Sequence, residues 1–175
     1  LIDGARNLVE GYFVRPDAMH PDVCTSFFHF ALSELLKRNG LYTVHATALA
    51  RLGAVGACEA ALDRALAAAR RAHDHRRSNA VLAGAPLAAL WGPSPVTRAS
   101  GRCLDVVRVL RITQGSPAVE AVALRCQAVL EALRGRTDAA RRMLASARRM
   151  VEELGITQRL LEADVAAGQI ELLEG

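Results

Sequence analysis

Aromatic side chains are scarce in this sequence: one Trp, two Tyr and four Phe, or 4% of the chain. A sheet-built core draws on aromatic and β-branched residues, so the scarcity disfavours one. It also leaves few rings for the stacked platforms that hold single-stranded nucleic acid. Long apolar runs are missing too. The longest, Ala80 to Trp91, is interrupted by Gly84 and Pro86, and it falls short of the roughly 20 residues that cross a bilayer. The first residues carry Asp3, Arg6 and Glu10, where a signal peptide would carry an apolar stretch. The four cysteines, Cys24, Cys58, Cys103 and Cys126, form no C-x-x-C pair. In a chain with no export signal they predict a cytoplasmic protein with free, buried thiols. Neither sign of charge dominates: 22 basic residues face 18 acidic ones, a net charge of +4. All the basic residues but Lys37 are Arg. With abundant Ala, that bias reads as the mark of a GC-rich genome rather than of phosphate binding. No G-x-x-x-x-G-K-[ST] occurs, so the backbone cradle and lysine of a P-loop are absent from the sequence.

What is present is alanine, leucine and repetition. Apolar residues make up 51% of the chain, and Ala and Leu carry most of that content, which suits close-packed helices. Leu144-Ala-Ser-Ala-Arg-Arg149 echoes Leu66-Ala-Ala-Ala-Arg-Arg71, 78 positions earlier. Gly115 and Gly155, Glu131 and Glu171, Leu133 and Leu173, and Gly135 and Gly175 are each 40 positions apart. A period of roughly 40 with helical patterning inside each unit predicts a mainly α fold. The expected architecture is an α-solenoid of antiparallel helix-turn-helix repeats with a short mixed N-terminal extension.

Residues 1–53 form the expected N-terminal segment. A helix is predicted over 22–39, starting at Asp22 and stopped by Asn39-Gly40. Tyr42, Thr43, Val44 and Thr47 predict a strand over 41–49, or a helix if the repeats capture it. Residues 54–175 form the expected repeat domain. A helix over 57–72 has Ala61, Leu62, Ala65, Leu66 and Ala69 on one face and Glu59, Asp63, Arg64, Arg70 and Arg71 on the other. His73-Asp74-His75 breaks it. Ser78 or Asn79 is the expected cap of the next helix, which runs to Trp91. Pro86 inside that helix predicts a kink, at about 3 kcal/mol if no neighbour compensates.

Gly92-Pro93-Ser94-Pro95 is a stop, and a helix from Val96 to Ile112 follows. Ser116 as N-cap and Pro117 at the first helical position open a helix over 117–134, with Val122, Cys126, Val129, Leu130 and Leu133 inward. Thr137 or Asp138 caps its partner, 138–154, whose inward stripe is Ala140, Met143, Leu144, Ala147, Val151 and Leu154. Gly155 ends it. A last helix, 157–174, is left with an unpaired apolar face. That face, and the stop inside a helical pattern at Gly175, predict truncation at the C-terminus; with the start at Leu1 they predict a fragment of something longer.

Two resemblances bear on function. Residues 54–175 resemble the tetratricopeptide-type region of large bacterial signalling ATPases, often fused to cyclase domains or transcriptional regulators. The resemblance is carried by Ala89-Leu-Trp-Gly-Pro-Ser-Pro95, by Glu131-Ala-Leu-Arg-Gly-Arg-Thr-Asp-Ala-Ala140 and by Glu152-Glu-Leu-Gly155. Ala128, Ala140, Leu144 and Ala147 stand where such a unit places its packing residues. Glu131 and Glu152 stand where it more often has an aromatic residue and a proline. Residues 7–53 resemble the segment before the P-loop in HPr-kinase-like proteins, through Phe28-His-Phe-Ala-Leu-Ser-Glu-Leu-Leu-Lys-Arg-Asn-Gly-Leu-Tyr-Thr-Val-His-Ala-Thr-Ala-Leu-Ala50. In that family a helix ending in Gly leads to a strand with a His-Ala pair and then to the phosphate loop. Here Gly53-Ala-Val-Gly56 is followed by Ala57 and Cys58, with no lysine to reach a phosphate.

Four constellations invite a chemical reading. His20, Cys24, His29 and His45 lack the paired cysteines and convergent ligands of a zinc site. His73 and His75 sit at a helix end among Arg70, Arg71, Arg76 and Arg77, as cations near a helix C-terminus do. Arg141, Arg142, Arg148 and Arg149, echoed by Arg64, Arg70 and Arg71, read as a solvated ridge partly paired with Asp138, Glu152 and Glu153. Trp91 reads as a packing anchor between repeats. No catalytic, cofactor-binding or metal-ligating residue is predicted, and no cofactor. The sequence therefore predicts a non-catalytic scaffold module of a bacterial signalling or regulatory protein. Its expected partner is a protein or another domain of a larger parent chain, with neither nucleic acid nor membrane. The alternative is a fragment of an HPr-kinase-like nucleotide-binding protein that lacks its P-loop and is inactive.

Overall fold

The computed structural model describes residues 42–175; the helix expected over 22–39 lies outside them. The described residues form seven α-helices and no strand. They are α1 (Tyr42–Arg51), α2 (Val55–Arg71), α3 (His75–Trp91), α4 (Val96–Ile112), α5 (Pro117–Ala132), α6 (Thr137–Glu153) and α7 (Gln158–Glu174).

The helices end in a recurring way. Gly53, His73, Gln114, Gly135 and Gly155 all take positive φ just past a helix. After each, the next amide closes the turn by reaching back five residues: Ala54 to Leu49, Asp74 to Ala69, Gly115 to Leu110, Arg136 to Glu131 and Ile156 to Val151. This is the Schellman closure, which satisfies helix-end carbonyls and favours a residue without a Cβ. Gly135 (φ 74) and Gly155 (φ 67) meet that demand directly. Of the first six helices only α3 ends differently, at Gly92 in extended conformation before Pro93. The interval between these stops is the physical basis of the repeat read from the sequence: two helices and two turns make one unit of about 40 residues.

The N-termini are less regular. Asp74, not Ser78 or Asn79, caps α3; its Oδ1 accepts from the Arg77 amide at 2.9 Å, and Ser78 turns its hydroxyl back to the Asp74 carbonyl at 3.0 Å. Ser116 stands at the N-cap of α5 with Pro117 first in the helix, as expected. Arg136 occupies the N-cap of α6 with no side-chain cap, so neither Thr137 nor Asp138 has that role.

Residues 42–51 are helical, so the strand reading of 41–49 gives way to its alternative. Local β preference is worth at most about 1 kcal/mol and yields to packing. As a helix, the segment brings Ala46 and Leu49 onto Cys58, Ala61 and Leu62 of α2. Thr47 accommodates this by donating its hydroxyl to the Thr43 carbonyl at 3.1 Å.

Consecutive helices pack in sequence order as hairpins α1–α2, α3–α4 and α5–α6, with α7 following. Odd-numbered helices also pack side by side, α1 on α3, α3 on α5 and α5 on α7. The result is a two-layer stack of hairpins, an α-solenoid. Helix α5 is its axis. From Ala121 to Ala132 every residue but Arg125 is buried, because α3, α4, α6 and α7 all pack on it.

Among the described residues, no buried cluster of the core contains an aromatic side chain. Alanines fill the closest approaches: Ala61, Ala123, Ala128 and Ala140 are wholly shielded. Larger side chains, Leu110, Leu130 and Ile170 among them, fill the spaces between. The packing residues Ala128, Ala140, Leu144 and Ala147 are all buried. Leu133 and Leu154, expected inward, are exposed. Each lies just beyond the last helical residue, where the chain has begun to turn away. Pro86 lies buried within α3, which runs through it as one helix. The Cys103 thiol of α4 approaches the Pro86 carbonyl at 3.9 Å, a weak contact.

Candidate functional site

The densest polar chemistry lies where α4, α5 and the α5–α6 turn meet. Ser100, Gln127 and Glu131 are buried there, at 1%, 0% and 4% relative exposure. Glu131 Oε1 accepts from the Ser100 hydroxyl at 3.1 Å, from Gln127 Nε2 at 2.9 Å and from the Arg134 guanidinium at 2.9 Å. Its Oε2 accepts from Arg136 at 3.3 Å. Gln127 Nε2 also donates to the Ser100 hydroxyl at 2.8 Å. A carboxylate can only accept, so the amide must turn its NH2 toward Glu131. That orientation leaves Gln127 Oε1 buried with no hydrogen-bond partner.

The local sequence explains the assembly. Gln127 and Glu131 are four apart on α5 and share a face. Gly135 turns the chain back, and its turn carries Arg134 and Arg136 to the same carboxylate. With two acceptor oxygens and four protein donors, Glu131 is fully engaged. What this arrangement does chemically is tie three segments together.

A second cluster joins α2 to α4. Arg102 forks onto Asp63 at 2.6 and 3.3 Å, and its Nε lies 3.0 Å from Glu59 Oε1. The latter is a charge pair rather than an aligned hydrogen bond. Glu59 Oε2 accepts from the Ser94 hydroxyl at 3.2 Å. A third set holds α7. Arg125 of α5 reaches Glu162 at 2.5 Å, Arg148 of α6 reaches Asp164 at 2.6 Å, and Arg141 pairs with Glu171 and Glu174. Hydrogen bonding from Arg141 holds the Glu174 carboxyl below its ordinary range.

Of the residues singled out from the sequence, His20, Cys24 and His29 lie outside the described residues, and His45 is buried in α1. Among the described residues no group of three or more His, Cys, Asp or Glu is placed to hold a metal. His73 and His75 are exposed at the α2–α3 turn. The arginine ridge divides. Arg141 and Arg148 clasp α7, and Arg148 also reaches Glu152 at 3.4 Å. Arg142 and Arg149 face solvent without an ion pair among the described residues. Trp91 is 61% exposed at the end of α3, so it is not an anchor buried between repeats.

The Ser100–Gln127–Glu131 cluster escaped the sequence reading. Its one signal in the sequence is Gln127 between Cys126 and Ala128-Val129-Leu130 on the inward side of the helix, which a buried polar partner explains.

Cys58, Cys103 and Cys126 are buried free thiols. Burial pushes Cys103 up to about 12 and Cys126 up to about 11, and raises Cys58 as well, with Glu59 adding to it. The thiolate is the reactive form. In the native chain at pH 8 these three thiols should therefore resist iodoacetamide, and in guanidinium all should be alkylated. Peptide mass mapping reads the outcome; native alkylation of Cys103 would contradict its burial.

No family model matches this chain, and neither a curated protein nor a solved structure does.

Proposed function

We propose that this chain is a non-catalytic helical-repeat module of a bacterial signalling or regulatory protein, which binds a protein partner or another domain of its parent. The observation that carries the reading is where large apolar side chains remain uncovered. Leu87 and Trp91 are exposed one turn apart on α3, at 39% and 61%. A solvent-facing Trp beside a Leu on a rigid stacked helix is the kind of surface that groove-recognising scaffolds offer. The buried polar groups support the same reading, since Glu131 and Glu59 are engaged by side chains of neighbouring segments.

Trp91 is the sole tryptophan, so its emission reports directly on this surface. Titration with amphipathic helical peptides and with candidate domains should shift the emission to the blue saturably. Leu87→Asp should abolish the shift while leaving thermal unfolding within about 1 kcal/mol of the parent, because the site is partly exposed. The competing nucleotide reading is tested in the same samples. A melting temperature raised by millimolar Mg-ATP, with Trp91 indifferent to every peptide and domain, would overturn the proposal.

A further inference from the structure

Helix α7 touches the stack through few apolar side chains and many charged ones. It packs on α5 and α6, and its buried side is two alanines and one isoleucine, Ala163, Ala166 and Ile170. These lie against Ala128, Val129 and Ala132 of α5 and Ala140 and Leu144 of α6. The ion pairs across this contact share one polarity, with arginines on the seat and carboxylates on α7. Arg125 of α5 meets Glu162, Arg148 of α6 meets Asp164, and Arg141 of α6 meets both Glu171 and Glu174. With four carboxylates against one arginine, α7 carries a net charge of −3. Apart from Arg125, which is 14% exposed, the side chains in these pairs are 42% to 61% exposed. Open pairs of this kind are individually weak and fade as salt rises.

Off its seat, α7 has little to keep it helical. Thr157 at its N-cap makes no side-chain cap. Gly168 stands in its middle, where a Cβ would meet nothing within 4 Å. Packing therefore does not call for glycine there, and the helix loses propensity to it. An isolated helix of this length is marginal in water even with good helix formers. The seat is sturdier, because α5 is the most deeply buried helix of the stack. Arg148 also keeps a partner when Asp164 leaves, since it reaches Glu152 at 3.4 Å.

We propose that α7 is a detachable strap: it covers an apolar seat on α5 and α6 ringed by Arg125, Arg141 and Arg148, and an acidic amphipathic helix of a partner protein can take its place there. The chemistry of that occupant is read from α7 itself. Small apolar residues face the seat, and carboxylates on both flanks meet its arginines. The seat is separate from Leu87 and Trp91, and the inference does not depend on what binds there.

Hydrogen exchange of the whole chain at about 10 mM and about 1 M NaCl tests the strap, since the screening length falls from about 30 Å to about 3 Å. Peptides from Gln158–Glu174 should exchange at least about tenfold faster in high salt, with Pro117–Ala132 unchanged. Gly168→Ala should slow the same peptides at either salt. The seat is tested in the whole chain with the triple variant Asp164→Asn, Glu171→Gln and Glu174→Gln. A fluorescein-labelled peptide of the native sequence 156–175 should bind this variant saturably, read by anisotropy, and bind the parent far more weakly. Binding to the variant should vanish in about 1 M NaCl. Exchange in α7 that ignores salt, that rises only together with α5, or that Gly168→Ala leaves unchanged would overturn the strap. A peptide that binds parent and variant alike, or neither, would overturn the seat. Binding that survives high salt would do the same.

Discussion

Glu131→Ala is expected to destabilise the folded chain by about 3 kcal/mol, the usual cost of removing one member of a buried, hydrogen-bonded charge cluster. The substitution takes one acceptor from four donors. Two of these, on Ser100 and Gln127, are buried and are left without their strongest partner, at about 1–3 kcal/mol of desolvation each if nothing rearranges. Arg134 and Arg136 are more open, at 28% and 58% side-chain exposure, and water can take them over, so they add little. Glu131→Gln keeps an acceptor oxygen and should lose about half as much. A domain of this size shifts its melting temperature by roughly 4 °C per kcal/mol. Thermal unfolding should therefore rank parent, Gln and Ala in that order. If the two variants melt together within about 1 °C of the parent, the cluster does not hold the α4–α5 junction.

Leu130→Ala is expected to cost about 3 kcal/mol, and Leu133→Ala less than about 1 kcal/mol. The two leucines are three positions apart, and both read as inward from the sequence. Leu130 is 1% exposed and packs among Ala89, Ala99, Cys103, Val122 and Cys126. Truncating it opens a cavity walled by α3, α4 and α5. The small side chains around it have little reach with which to fill the space. Leu133 is 47% exposed in the turn after α5, so water already covers half of what the mutation removes. Urea unfolding of the pair decides the matter. Equal losses would mean that α5 continues inward past Ala132.

These contrasts show which parts of the fold are legible in the sequence. Helix ends are, because their punctuation is local. Gly135, Gly155 and Ser116-Pro117 act through their own backbone, and the structure places helix boundaries within a few residues of them. Repetition is legible for the same reason, since equal helices with equal stops produce a period.

What depends on contacts distant in sequence is not legible. Tyr42 to Arg51 carries strand-forming residues, and only the arrival of α2 makes a helix the better state. Trp91 shows the opposite case: a large apolar ring predicts burial, and it is 61% exposed. Apart from Gln127 on the same helix, the partners of Glu131 come from 31 residues upstream and from the turn just beyond it. No pattern within α5 alone reveals that. At Asp74, Ser78 and Asn79, three capping residue types compete within six positions, and the turn geometry at His73 selects the first.

The central claim is a stack of hairpins organised around α5, and hydrogen exchange of the whole chain, read peptide by peptide, tests it most directly. Protection in such a stack follows burial of the whole element. The account predicts the slowest exchange in Pro117–Ala132, intermediate rates in α3, α4 and α6, and faster exchange in α7, which has neighbours on one side. Exchange in α5 as fast as in α7, or protection centred on the α2–α3 turn, would contradict it.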